Sequence, residues 1–350
     1  MSGDNFETRA AHCVEEIGQE NWNAFSDGRP FASYAWYLFG ERSMPNCRPY
    51  YVSVIKDRQT IARASFWLIR EEPLPVSSKL LRAGLANFLH ARPLLVCRSP
   101  LADSSGLILP PSPYRREAFE RILSMAEAYS RTVKASFLVF DYLDPAQADL
   151  EEWRNRFVRV QLSEPGTFLP ITWNSFDQYL QSLSKTAWKD YRRQFNQASR
   201  MNLVITTRRP IDLNIAEILP LIRNVEARHG APPKPWAGAM LESAAGINSS
   251  WIEARVEGRL VGCGLLLADG DDWLATLLGL DYNFPYVYFQ IMYSAIRKAI
   301  EEGARLLRAG SGAYEFKRRL GFCLETNNNL RFAGQTRFLS QLGRLASRLA

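Results

Sequence analysis

Between Leu277 and Phe322 the chain carries side chains suited to moving an acyl group. Transfer to an amine needs a deprotonated nucleophile, a stabilised oxyanion and a proton for the leaving oxygen. Asp281 can orient or deprotonate an ammonium, or serve as a turn residue or cap. Tyr282, Tyr288 and Tyr314 can donate to an oxyanion or a leaving oxygen, or pack as ordinary aromatics. Ser311 and Gly312 offer backbone N–H groups. On a helix following Gly310-Ser311-Gly312, Tyr314, Lys317 and Arg318 fall at i, i+3 and i+4, one face directed at a phosphate or a 3′-terminal ribose, with Arg319 turned to solvent. His229, in the loop Arg228-His229-Gly230, is a further candidate for substrate contact. There is no Gly-Xaa-Ser-Xaa-Gly elbow and no Cys/His pair of suggestive spacing, which argues against a hydrolase triad. Three histidines and five scattered cysteines argue against a metal-centred enzyme and a disulfide framework, and point to a reducing, cytoplasmic setting.

A second set of residues is electrostatic. The net charge is +7, and it clusters. Residues 182–200 hold five cations against the single acid Asp190, and residues 331–350 hold four arginines and no acid. Within a helix over this region, Lys185, Lys189, Arg192, Arg193 and Arg200 fall inside an arc of about 100°. Leu183, Ala187, Tyr191, Phe195 and Ala198 take the opposite side. One face packs and the other presents cations that i to i+4 salt pairing cannot explain; the face is either simply solvated or suited to a phosphate-rich partner such as tRNA, CoA or a lipid-linked precursor.

Elements must position these groups. Leu277 to Leu280 reads as the end of a buried strand, and Pro285 permits the start of a helix that runs from Tyr288 to Glu302. On its wheel Phe289, Met292, Tyr293, Ile296, Ala299 and Ile300 share a face; Gln290, Arg297, Lys298 and Glu301 lie off it. A short strand over 305–309 then feeds the glycine turn and a basic helix ending at Gly321. Earlier, Trp251–Val256, Leu260–Leu267 and Trp273–Leu280 form strand, turn, strand, turn, strand. Tyr50–Ile55 and Thr60–Ile69 make a similar hairpin, followed by a loop-rich stretch over 76–114, a helix over 115–132 and a strand over 135–142. Gly106-Leu107 before Pro113-Tyr114 and a helix parallels Gly279-Leu280 before Pro285-Tyr286 and a helix. This weak internal repeat implies two similar α/β domains.

Leu280-Asp281-Tyr282, Tyr288-Phe289-Gln290, Gly303, Gly310 to Lys317 and Leu320-Gly321-Phe322 resemble the C-terminal half of the FemABX-like branch of the GNAT superfamily. Weaker similarity runs over most of the chain. That branch holds peptidoglycan-bridge aminoacyltransferases, bacterial N-acyltransferases and aminoacyl-tRNA-dependent biosynthetic enzymes. The resemblance implies an α/β fold of two tandem GNAT-like (acyl-CoA N-acyltransferase) domains, with mixed sheets flanked by helices. Their expected bounds are 1–165 and 166–335, followed by an amphipathic helix over 336–350 that offers a peripheral membrane contact. It implies catalytic roles for Asp281, Tyr282, Tyr314 and Lys317. Tyr288 and Gln290 become substrate-binding positions, where some N-acyltransferases carry His and Glu, together with Ser311, Gly312, Arg318 and His229. Lys185, Lys189, Arg192 and Arg193 become the nucleic-acid contact.

The usual GNAT loop that grips CoA pyrophosphate is glycine-rich. Here it reads Asp281-Tyr282-Asn283-Phe284-Pro285, with no glycine and an acid at its head, so bulk and charge should oppose a pyrophosphate. The expectation is therefore an acyltransferase with no resident cofactor. It would move an aminoacyl group from charged tRNA to the amine or hydroxyl of a small-molecule or peptide acceptor. Acyl-CoA is the alternative donor, and an inactive double-GNAT module binding RNA or a membrane surface is the alternative without chemistry. No run of about 18 apolar residues occurs, and the first twenty residues do not read as a secretory signal.

Overall fold

A computed structural model describes residues 6–26, 28–72, 79–111, 113–153, 156–336 and 339–341. The chain divides into two compact units. One takes residues up to 165 and those from 326 onward; the other takes Gly166–Glu325.

The first unit runs β1 (Phe6–Ala11), α1 (Gln19–Ser26), α2 (Tyr34–Ser43), β2 (Arg48–Lys56), β3 (Gln59–Ile69) and α3 (Lys79–Ala91). It continues through β4 (Leu94–Cys97), β5 (Leu107–Ile108), α4 (Arg115–Thr132), β6 (Phe137–Leu143), α5 (Pro145–Ala148) and β7 (Val158–Gln161). Helix α3 lies where the sequence suggested loop. The five prolines of that stretch all follow it, so they break the chain after the helix rather than within it. The core is aromatic: Trp153 meets Phe119 of α4 and Phe140 of β6 edge to face, with ring centroids 4.7 and 4.9 Å apart.

The second unit opens with β8 (Thr167–Pro170), α6 (Phe176–Ser182), α7 (Lys185–Arg200), β9 (Leu203–Arg208), α8 (Ile215–Arg228) and α9 (Ala237–Ser243). Then come β10 (Ser249–Val256), β11 (Arg259–Asp269), β12 (Asp272–Leu280), α10 (Val287–Glu301), β13 (Leu306–Arg308), α11 (Tyr314–Arg319) and β14 (Cys323–Leu324). Helix α10 lays Val287, Ile291, Ala295, Ile296 and Ala299 on the sheet. Each large aliphatic buried this way stabilises by roughly 1.5–3 kcal/mol. On the other face, α8 comes close enough to β12 that a Cβ on Gly279 would meet Leu221 Cβ at 2.9 Å and Ile222 N at 3.0 Å. Only glycine leaves α8 that room.

A last strand, β15 (Asn329–Gly334), pairs with β6 and β7. The expected domain over 166–335 therefore loses its final strand to the first sheet. Hydrophobic alternation marks such a strand but says nothing of its distant pairing partner. The expected helix over 336–350 lies almost wholly outside the described residues.

The first sheet has the order β1-β2-β3-β4-β6-β15-β7, with β5 on β3; the second, read from β9, has β9-β10-β11-β12-β13-β8-β14. Each is antiparallel except for one adjacent pair, β4 with β6 and β12 with β13, bridged by α4 and α10 respectively. The internal repeat is thus a repeat of topology. Parallel neighbours place both strand ends, and the loops leaving them, on one edge of the sheet.

Candidate functional site

In the second unit the parallel pair comes apart. Pairing between β12 and β13 is confined to Asp272–Leu306, Trp273–Leu307 and Leu274–Arg308. Beyond it β12 runs on for six residues, Ala275 to Leu280. Along its other edge, Thr276 faces Leu265 while Gly279 faces Cys263, so two residues of β12 oppose Gly264 alone. Leu277 absorbs the extra residue in a left-handed conformation, φ 47°. Such a bulge bends its strand. The result is a gap between parallel strands, edged by the β12 backbone, with its mouth at the strands' C-terminal ends.

Lys317 sits at that mouth. It is 4% exposed, and its ammonium donates to the carbonyls of Ala309, Gly310 and Ser311, the residues that leave β13, at 2.5 to 3.2 Å. Gly310, Gly312 and Ala313 take left-handed φ of 54°, 82° and 48°, which turns these carbonyls inward. An ammonium has three N–H donors, and three carbonyls already take them. This corrects one expectation: Lys317 is not held out for a phosphate. It is a buried cation that fixes the glycine turn. Ser311 is exposed on that turn, and Arg318 is exposed on α11.

Asp281, the residue after β12, is corrected as well. Its carboxylate is buried, accepts from Arg259 Nη2 at 2.6 Å, and accepts from Asn283 N and Nδ2 at 3.0 and 2.8 Å. A carboxylate so occupied is a turn cap rather than a base. Its charge is neutralised by Arg259, so it does not repel a phosphate. The helix start differs too. Pro285 precedes the N-cap, Tyr286, which stands at φ 70° and makes no side-chain cap bond; Gln290 N is the first to reach back, to Tyr286 O. The N–H groups of Val287, Tyr288 and Phe289 are left without intrahelical partners, as at an anion-binding helix start.

The remaining candidates separate. Tyr282 is 42% exposed, with the Arg228 guanidinium 4.7 Å from its ring centre; burial pushes its phenol up, and Arg228 opposes this. His229 is exposed at the end of α8. Tyr288 packs on Phe289 and Phe316, and burial drives its phenol well up. Tyr314 and Arg193 share a cavity of about 380 Å³ walled by α7, α10 and α11. Arg319, which the spacing turned to solvent, reaches Asp190 at 3.4 Å and lines the same cavity. Lys185, Lys189 and Arg192 are exposed along α7 as expected, but so are Trp188 at 39% and Phe195 at 49%. Gln290, read as lying off the packed face of α10, is buried at 7% exposure and lines a second cavity. Sequence reasoning missed Arg259, Asp190 and the Leu277 bulge. Only Gly279, breaking an otherwise leucine-rich run, hinted at the last. Among the described residues, no cluster of three His, Cys, Asp or Glu could hold a metal ion, and no helix is long and apolar enough to cross a membrane.

The FemAB-like family, described as peptidoglycan biosynthesis/recognition, matches residues 13–348. No curated protein sequence matches the chain. Among solved structures it is similar to FemX, with a TM-score of 0.63 at 11% identity, covering 97% of this chain and 100% of that one. A tandem GNAT protein from the clavulanic acid biosynthesis pathway gives 0.56 at 11% identity, covering 95% and 99%. The C-terminal domain of a putative lysylphosphatidylglycerol synthetase from Agrobacterium fabrum gives 0.54 at 11% identity, covering 96% and 97%. At these identities the likeness is one of fold, and the fold is the tandem GNAT fold.

Proposed function

This chain belongs to the FemAB-like family, and from that premise we propose that it is an acyltransferase moving an aminoacyl group from aminoacyl-tRNA to an amine or hydroxyl. The family's description favours a peptide acceptor over a small molecule. The observation that carries the reading is the gap between β12 and β13, with a buried ammonium at its mouth. An ester carbonyl lying along the free edge of β12 meets backbone N–H groups, and the Lys317 charge adds to their stabilisation of the oxyanion. The acceptor nitrogen attacks that carbon, the C–N bond forms, and the bond to the ribose oxygen breaks. The acceptor's proton leaves with that oxygen. Lys317 works here as a fixed charge and as the brace of the turn. The exposed cations of α7 supply the electrostatic footing for the tRNA.

An acyl-CoA donor is the second reading, and the uncapped start of α10 favours it, because that is where a pyrophosphate would dock. The absence of glycine in residues 281–285 still opposes it on grounds of bulk. One assay separates the two. The purified protein and an amine-bearing peptide acceptor are offered charged total tRNA or an acyl-CoA mixture, each with and without ribonuclease. Product from charged tRNA, abolished by ribonuclease, is the expected result. Turnover with acyl-CoA alone would replace the first reading by the second, and turnover with neither would leave a binding module.

A further inference from the structure

A second cavity in the same unit, about 340 Å³, lies along the opposite flank of α7 from the Tyr314 cavity. Its floor is one stripe of α10. Gln290, Tyr293, Ser294, Arg297, Lys298 and Glu301 follow one another at intervals of three, one, three, one and three, the spacing of a helix face. Its walls are Phe176 of α6, Tyr191 and Phe195 of α7, and the inward residues of edge strand β9, of which Ile205 is central. The walls are thus mixed aromatic and aliphatic, and most of the polar groups lie on the α10 floor.

Two features of the polar groups stand out. First, Gln290 Nε2 is buried and has no hydrogen-bond partner. A buried donor left unmade costs about 1–3 kcal/mol, so an acceptor brought by a ligand would recover that cost. Second, the rim holds a cation and an anion one turn apart. Lys298 is engaged by Glu302 at 2.5 Å. Arg297 lies over the Phe176 ring at 4.2 Å, and neither it nor Glu301 has an ion-pair partner among the described residues. Gln290 and Arg297 are seven residues apart, roughly 10 Å along the helix axis. Long helix side chains lean toward the N-terminus, which brings the Arg297 and Glu301 heads nearer the amide.

We propose that this cavity binds a free aromatic α-amino acid with an oxygen at the far end of its ring. The ring lies on the wall formed by Tyr191, Phe195 and Ile205, the carboxylate pairs with Arg297, the ammonium pairs with Glu301, and the distal oxygen accepts from Gln290. A tyrosine-like amino acid spans the interval and has both charges of the right sign. The site stands apart from the acyl-transfer reading, because binding is measured with no donor present.

The test is calorimetric titration of the full chain with L-tyrosine, L-phenylalanine, tyramine and 3-(4-hydroxyphenyl)propionate. These remove, in turn, nothing, the distal oxygen, the carboxylate and the ammonium. L-tyrosine is expected to bind tightest, with each of the others weaker by about tenfold or more, the value of one lost hydrogen bond or ion pair. Gln290→Leu should erase the preference for tyrosine over phenylalanine, and Arg297→Gln the preference for tyrosine over tyramine. Gln290→Leu should also melt no lower than the parent, since it replaces an unpartnered donor by an apolar group of similar size. The proposal is overturned if no compound gives binding heat or if the four bind alike. A tyrosine preference that survives Gln290→Leu, or a Gln290→Leu variant that melts lower or fails to fold, would overturn it as well.

Discussion

The two sheets place their parallel strands alike and finish them differently. In the first unit, β4 leads into Arg98, whose guanidinium holds Glu72 at 3.1 and 2.6 Å and Asp141 of β6 at 3.5 Å. Asp141 lies at a bulge of its own, with Tyr142 at φ 51°. An ion cluster therefore ties the two strand ends together. In the second unit the bulge is on β12, the ion pair of Arg305 with Asp272 lies at the other end of the paired segment, and Lys317 at the mouth donates to the carbonyls of its own turn. The long helices differ in the same way. On and around α4, Arg121 pairs with Glu117, and Arg156 with Glu120 and Glu127, whereas Lys185, Lys189 and Arg192 of α7 meet no acid among the described residues. Around the first helix the cations are paired; along the second, Lys185, Lys189 and Arg192 stay exposed.

The largest effect should come from breaking the closed end. Arg98→Met leaves the buried Asp141 and the half-buried Glu72 without their cation, which costs up to about 3–5 kcal/mol. Chemical denaturation is expected to show that loss, with turnover per folded molecule within about twofold of the parent. A large loss of turnover in the folded fraction would mean that the first unit also does chemistry.

Next comes the open end. Lys317→Met should reduce turnover by about 10²–10³-fold, the scale of losing one oxyanion-stabilising group. It also strands three carbonyls, at a cost of about 1–3 kcal/mol. The assay therefore has to be run at a temperature where circular dichroism reports a folded chain. Lys317→Arg keeps the charge but not the shape, so partial recovery would assign the role to charge. Parental turnover in a folded Lys317→Met would remove the second unit's claim to the chemistry.

A smaller effect sharpens the contrast between the helices. The pair Lys189→Glu and Arg192→Glu should weaken tRNA binding by about tenfold or more at low salt and reduce the salt slope by about 2. Arg121→Glu on α4 should change neither. Filter binding across a salt series measures both, and equal effects on the two helices would dissolve the contrast.

The smallest is a pH dependence confined to the closed end. Burial pushes the Asp141 carboxyl up to about 6, against the pull of Arg98. Its folded value lies above its unfolded value, so the folded chain binds the extra proton. The stability it contributes is complete below about 4 and is lost as pH rises through about 6, at no more than about 1.4 kcal/mol per pH unit. The melting-temperature difference between the parent and Asp141→Asn should therefore fall from pH 4 to pH 7. A flat difference would show that Asp141 stays ionised on folding.

The sequence by itself determined the local elements and their class. Apolar runs bounded by polar turns marked β2, β3, β10, β11 and β12, helical periodicity marked α7 and α10, and Gly310 and Gly312 marked the turn before α11; each depends on residues a few positions apart. The run of cations on α7 was legible for the same reason. Tertiary structure alone decided where β15 pairs, that β12 and β13 part after Leu274, and which charges are already matched. Asp281 and Lys317 make the point: by type and spacing both suited catalysis, yet Arg259, twenty-two positions away, occupies the first, and carbonyls turned inward by left-handed residues occupy the second. Charge type is written in the chain. Whether a charge is free depends on partners and backbone angles that the fold brings to it.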